Sequence, residues 1–181
     1  MRYDQLEHAI RAACDVAEET EILIFGSQAI LGTYPNAPES LRASIEVDVQ
    51  AKNKPEMTDL IDGSLGEDSQ FHITHGFYVH GVSIEAATLP EGWSERTITV
   101  SDSIGTRGGK GHCIDPHDLA ASKLFAYRDK DRNFVTTLLI EQLIDGPTLL
   151  ERINALPVDD GARERLIQWV EITLEDINEP E

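Results

Sequence analysis

"RASIEVDVQAK", residues 42–52, decides how the rest of the chain is read. Ile45, Val47 and Val49 alternate with Ser44, Glu46, Asp48 and Gln50. In a β-strand successive side chains point to opposite faces, so the apolar set shares one face and the polar set the other. Glu46 and Asp48 then stand side by side with like charge, which is unfavourable unless water or a cation screens them. A wet polar face is the plain explanation. A carboxylate pair that holds a metal ion is the explanation with chemical content.

Upstream, "EILIFG" reads as a short buried strand ending at Gly26, and "SQAILGTY" as the start of a helix with Ser27 as its N-cap. Glycine lets a backbone approach closely, and the N–H groups of a helix start, with the Ser27 hydroxyl, suit an anion. An anion site beside paired carboxylates is the layout that nucleoside triphosphate phosphates require. Mg²⁺ takes few protein carboxylates and fills its other positions with phosphate oxygens and water.

The 181 residues suffice for one full core, or one domain with an appendage. A hydrophobic content of 40% and a charged content of 27% are those of a globular protein. No apolar run approaches the roughly 20 residues of a membrane helix, so no membrane partner is expected. "MRYDQLEHAIRAACDVAEET" is charged and amphipathic, unlike a secretory signal, and Cys14 and Cys113 do not form a disulfide framework. A cytoplasmic protein is the expectation. The net charge of −18 opposes broad nucleic-acid binding. RNA would need a local basic patch drawn from Lys123, Arg128, Lys130, Arg132, Arg107 and Lys110.

Leu6, Ile10, Ala13 and Ala17 recur at helical spacing across residues 2–19. "KPEMTDLIDGSLG" predicts a helix broken near Gly63 to Gly66. Residues 70–100 read as a strand meander with turns near Gly76, Gly81 and "PEGW". "IGTRGGKGH" reads as a mobile glycine-rich connection; no Ser or Thr follows Lys110, as a phosphate-binding loop would need. From Asp115, a predicted N-cap followed by Pro116, one long helix runs through "DPHDLAASKLFAYRDKDRNFVTTLLIEQLI", with two more near 147–155 and 159–177. The fold class expected is α/β (α+β): a mixed sheet with flanking helices over residues 1–114, and a helical part over 115–181. His72 and His75 would face opposite ways on a strand, and no Cys-x-x-Cys accompanies His80, His112 or His117, which argues against zinc.

Taken together, "GSQAILGTYP", "LRASIEVDV" and "DPHDLAASKLFAYRDKDRNFV" resemble the polymerase-β-like minimal nucleotidyltransferases, including relatives of bacterial AbiEii-type toxins. The resemblance covers most of residues 22–140. It implies that Gly26 and Ser27 contact a triphosphate and that Glu46 and Asp48 stand where the superfamily has two metal-binding aspartates. It also implies a third acid on a later strand, for which Glu85 in "GVSIEAATL" is the candidate because Val82 and Ile84 flank it. Two Mg²⁺ ions, a nucleoside triphosphate substrate and a toxin or antitoxin partner follow from the same resemblance.

Lys123, among Ala121, Ser122 and Leu124, needs an anionic partner and is assigned with Arg128 to the nucleotide's phosphates. On one continuous helix, Lys123, Tyr127 and Lys130 would share a face, with Arg128 and Arg132 on the next ridge. The function expected is transfer of a nucleoside monophosphate to an acceptor hydroxyl, on an RNA or tRNA end, a protein or a small molecule. The alternative is a nucleotidyltransferase fold that has lost catalysis and acts as a binding module. Glu46 in an aspartate's place favours that alternative.

Overall fold

The computed structural model describes residues 1–178. Its mixed five-stranded sheet with flanking helices and a helical C-terminal part is the expected fold class. The chain divides into two compact units: Met1–Ala87 with Arg96–Asp115, and Thr88–Glu95 with the chain from Pro116 onward.

In the first unit, α1 (Tyr3–Ala17) buries Leu6, Ala9, Ile10, Ala13 and Ala17, the apolar stripe read from the sequence. The strands are β1 (Glu21–Phe25), β2 (Glu46–Ala51), β3 (Tyr78–Gly81), β4 (Ile98–Val100) and β5 (Lys110–Cys113). They lie in the order β3-β2-β1-β5-β4. β1 runs antiparallel to β2 and parallel to β5, β2 runs parallel to β3, and β4 runs antiparallel to β5. Between β1 and β2 lies the short α2 (Ile30–Thr33). Between β2 and β3 lie α3 (Thr58–Leu65) and α4 (Gln70–His75). Ile22, Ile24, Val47, Val49 and Val79 are fully buried with Ile10 and Ile61, so one sheet face carries the core. Burial of each such side chain contributes about 1.5–3 kcal/mol.

Several expectations change. Residues 70–75 form helix, not strand: the Ser69 side chain accepts from His72 N–H, and left-handed Gly76 closes the turn. β-branched and aromatic content had suggested a strand; the caps decide otherwise. The end of the glycine-rich stretch is β5, an interior strand. A Cβ at Gly111 would run into Ile10 and Ile24, so the glycine is what lets α1 close on the sheet. Before β5, Asp102 Oδ1 accepts from Ile104 and Gly105 N–H at 2.6 Å, and Thr106 Oγ1 donates to Gly109 O at 2.7 Å, knitting the loop.

In the second unit the helix predicted from Asp115 is two helices, α5 (Pro116–Ala126) and α6 (Asp129–Ile140). Tyr127 breaks it at φ 56°, left-handed, with Arg132 and Arg165 stacked on its ring at 4.6 and 5.2 Å. The shared face proposed for Lys123, Tyr127 and Lys130 does not form, because the axis changes between them. α7 (Gly146–Asn154) and α8 (Asp160–Asn178) complete this unit. No helix among the described residues is long and apolar enough to cross a membrane.

Candidate active site

β2 places Asp48 opposite Phe25, the last residue of β1, so its carboxylate meets the turn that follows. Gly26 takes φ 66° and ψ −168°, a region essentially confined to glycine. A Cβ there would overlap Oδ2 of Asp48. Gly26 is therefore the cradle for one carboxylate oxygen of Asp48. Ser27 opens a 3-10 turn, Ser27–Ala29, with Gly26 rather than Ser27 at the cap position. Gln28, next in line, is fully buried, and neither of its amide atoms has a hydrogen-bond partner.

The other Asp48 oxygen faces β3. His80 pairs with Asp48 in the parallel ladder, and partners in a ladder share a face. His80 Nδ1 lies 2.9 Å from Asp48 Oδ1 and 2.9 Å from Glu46 Oε1. Burial alone would lower the imidazole pKa; the Asp48 hydrogen bond and the charges of Asp48 and Glu46 override it and raise the pKa above 6.5. Glu46, Asp48 and His80 each offer one ligand atom, all within 4.8 Å of one another, and all three side chains are half-buried. A metal-binding donor set can be built from them: two anionic oxygens and an imidazole nitrogen that open toward water.

Glu85 lies elsewhere in the chain's geometry than its sequence suggested. The strand ends at Gly81; Gln50 Oε1 then accepts from Ile84 N–H at 2.8 Å, and Ser83 accepts from Glu85 N–H. Ile84–Ala86 is thus a 3-10 turn, Glu85 is exposed, and it lies outside the Glu46–Asp48–His80 set. His80 was legible as a histidine on "FYVHG", but only the β2–β3 register makes it a neighbour of Asp48.

Lys123 and Arg128 belong to the second unit. The anionic partner Lys123 needs is Asp131, 3.4 Å from Nζ, while the ammonium also sits 4.6 Å over the Phe134 ring. Arg128 Nε donates to the same carboxylate at 2.5 Å. Asp131 is 1% exposed. Burial would raise its pKa, but Arg128 and Lys123 hold it below the usual carboxylate range; the Lys123 pKa is lowered by burial despite Asp131. Arg132 pairs with Asp129, as helix spacing allows.

A mixed sheet that sets paired carboxylates of one strand against a Gly-Ser corner at the end of its neighbour is the arrangement expected of a nucleotidyltransferase. The chain belongs to the DUF6036 family, described as nucleotidyltransferases of unknown function, which it matches over residues 2–176. No curated protein and no solved structure gives a significant match.

Proposed function

We propose that this chain transfers a nucleoside monophosphate from a nucleoside triphosphate to an acceptor hydroxyl, with release of pyrophosphate. The observation that carries this reading is Asp48, held between the Gly26 cradle and His80, with Glu46 beside it. The donor set fits a divalent cation: two carboxylates cancel its charge, and the half-buried position leaves room for substrate oxygens. A divalent cation bound there, Mg²⁺ in the family resemblance and two ions in its full form, supplies Lewis acidity for the acceptor hydroxyl and the triphosphate.

The chain's own residues do the positioning. Glu46 and Asp48 fix the charge centre on a rigid strand. Gly26 keeps Asp48 in its orientation, and Ser27 opens the 3-10 turn at the corner where phosphates would lie. Glu85 remains a candidate for a further ligand. Positioning and preorganised charge account for most of the rate in phosphoryl transfer. The acceptor class extends over an RNA or tRNA end, a protein hydroxyl and a small molecule. A cytoplasmic setting rests on the charged N-terminal stretch and on two cysteines that form no disulfide framework, and a toxin–antitoxin partner on the sequence resemblance.

Purified protein incubated with labelled triphosphates, a divalent cation and candidate acceptors should transfer label, and Asp48→Ala should abolish it. Transfer that survives Asp48→Ala would refute the assignment. One observation favours a second reading, a binding module without catalysis: a protonated His80 between the two carboxylates can itself serve as the cation. That module would bind no triphosphate in a cation-dependent way, which calorimetry reads directly.

A further inference from the structure

We propose that His80 is the third protein ligand of the cation site, and that the resulting two-carboxylate, one-imidazole set selects a transition-metal dication of the Mn²⁺ type over Mg²⁺. This rests on the reading of Glu46 and Asp48 as a cation site given above. Three features of the geometry lead to it. His80 stands in register with Asp48 on the adjacent parallel strand, so its place is fixed by backbone hydrogen bonds rather than by a loop. Its Nδ1 is equidistant, at 2.9 Å, from one oxygen of each carboxylate, and the three donor atoms lie within 4.8 Å of one another, close enough to share one ion. Asp48 turns its second oxygen to Gly26, which fixes the carboxylate's rotation about the strand.

Donor chemistry then sets the preference. Mg²⁺ is a hard ion that favours octahedral oxygen ligation and sheds water reluctantly. An imidazole nitrogen is the donor of transition-metal dications such as Fe²⁺, Ni²⁺ and Zn²⁺, while carboxylates suit Mn²⁺ as they do Mg²⁺. Of Mn²⁺ and Mg²⁺, Mn²⁺ is the transition metal and takes a mixed nitrogen and oxygen set more readily. Residue 46 is Glu, and its longer side chain brings Oε1 to 2.9 Å from His80 Nδ1. The longer acid therefore reaches the shared donor set and is not a sign of decay.

The test uses the full chain with Mn²⁺ and Mg²⁺ as probes. Isothermal titration calorimetry should give tighter binding of Mn²⁺ than Mg²⁺, by about tenfold or more. Pulsed electron paramagnetic resonance of the Mn²⁺-loaded protein should show ¹⁴N modulation from a directly bound imidazole. His80→Ala should erase that modulation and weaken Mn²⁺ by about tenfold or more. His80→Asp, an all-carboxylate set, should narrow or reverse the preference, and Glu46→Asp should weaken binding instead of improving it. Unfolding curves of metal-free variants check that each is folded. If Asp48→Asn abolishes Mn²⁺ binding while His80→Ala leaves affinity and spectrum unchanged, the cation site stands and the role of His80 is overturned. If Mn²⁺ and Mg²⁺ binding ignore Asp48→Asn and Glu46→Gln alike, the cation site itself is overturned and the proposal falls with it.

Discussion

Gly26→Ala separates the cost of a strained backbone from the cost of a displaced Asp48 carboxylate. At φ 66° and ψ −168°, any residue with a Cβ pays about 1–3 kcal/mol. The new methyl would also overlap Asp48 Oδ2 and sit 3.0 Å from Asp48 Cγ. The carboxylate is short and terminal, so relief comes by rotating Asp48, which moves its oxygens by about 1 Å or more and releases His80. A misplacement of that size costs roughly a hundredfold in rate, or about 2.7 kcal/mol of transition-state stabilisation. The variant should therefore lose about 1–3 kcal/mol of unfolding free energy in urea. Separately, it should lose about two orders of magnitude in label transfer at saturating cation. Gly63→Ala is the matched control: Gly63 lies inside α3, nothing lies within 4 Å of an added Cβ, and about 0.5–1 kcal/mol of stability should be gained with activity intact. If Gly26→Ala transfers label and binds cation like the unaltered chain, the cradle does not hold Asp48 and the site's geometry is misread.

Asp131→Ala removes a carboxylate, 1% exposed, that pairs with both Lys123 and Arg128, and should cost about 3–5 kcal/mol in urea unfolding. Loss below 1 kcal/mol would mean that water reaches the pair and the buried-charge argument is wrong. Burial, with Arg11, His75 and Arg107 nearby, pushes His8 down from 6.5 to about 4, so the folded state takes up this proton later than the unfolded chain. Stability is then full above pH 6.5 and declines as pH falls toward 4, by about 1–2 kcal/mol once water screening at this partly exposed ring is allowed for. His8→Phe should flatten that limb of the pH–stability curve. Gln28→Met removes a fully buried amide with no partner and should raise the unfolding free energy by about 1–3 kcal/mol; a fall would show that the amide is satisfied by something bound beside it.

The parts of the fold that local physics controls were legible. α1 showed its stripe at Leu6, Ile10, Ala13 and Ala17, and β1 and β2 showed burial and alternation, because these elements bury one face along their own length. Short or polar elements were not. "KGHC" carries no strand signature, yet it lies beside β1 because Glu21 pairs with Lys110 and Ile22 with Gly111 in the ladder. Residues 70–75 are too few for helical periodicity to outweigh their aromatic and β-branched content, and only Ser69 and Gly76 mark the ends. The break at Tyr127 lacks glycine and proline altogether; Arg132 and Arg165 hold the ring from α6 and α8, which is tertiary information.

The same divide runs through the site, and it bears on how acids in this family should be read. Glu46 and Asp48 announced themselves because alternation within one strand places both on one face. Their third companion depended on the register between β2 and β3, which the sequence does not encode locally. A single-residue slip of β3 would turn His80 to the opposite face and bring Val79 or Gly81 toward Asp48. Register here is secured by Val79, fully buried and paired with Val47, and by Gly81, where a Cβ would run into the α3 backbone at Thr58 and Asp62. The geometry of the candidate site is therefore an outcome of core packing on the far face of the sheet. Val79→Thr, which keeps the shape and adds a hydroxyl to that core, should weaken cation binding at a distance. Calorimetry of cation binding decides the point: unchanged affinity would mean that the polar face fixes its own register.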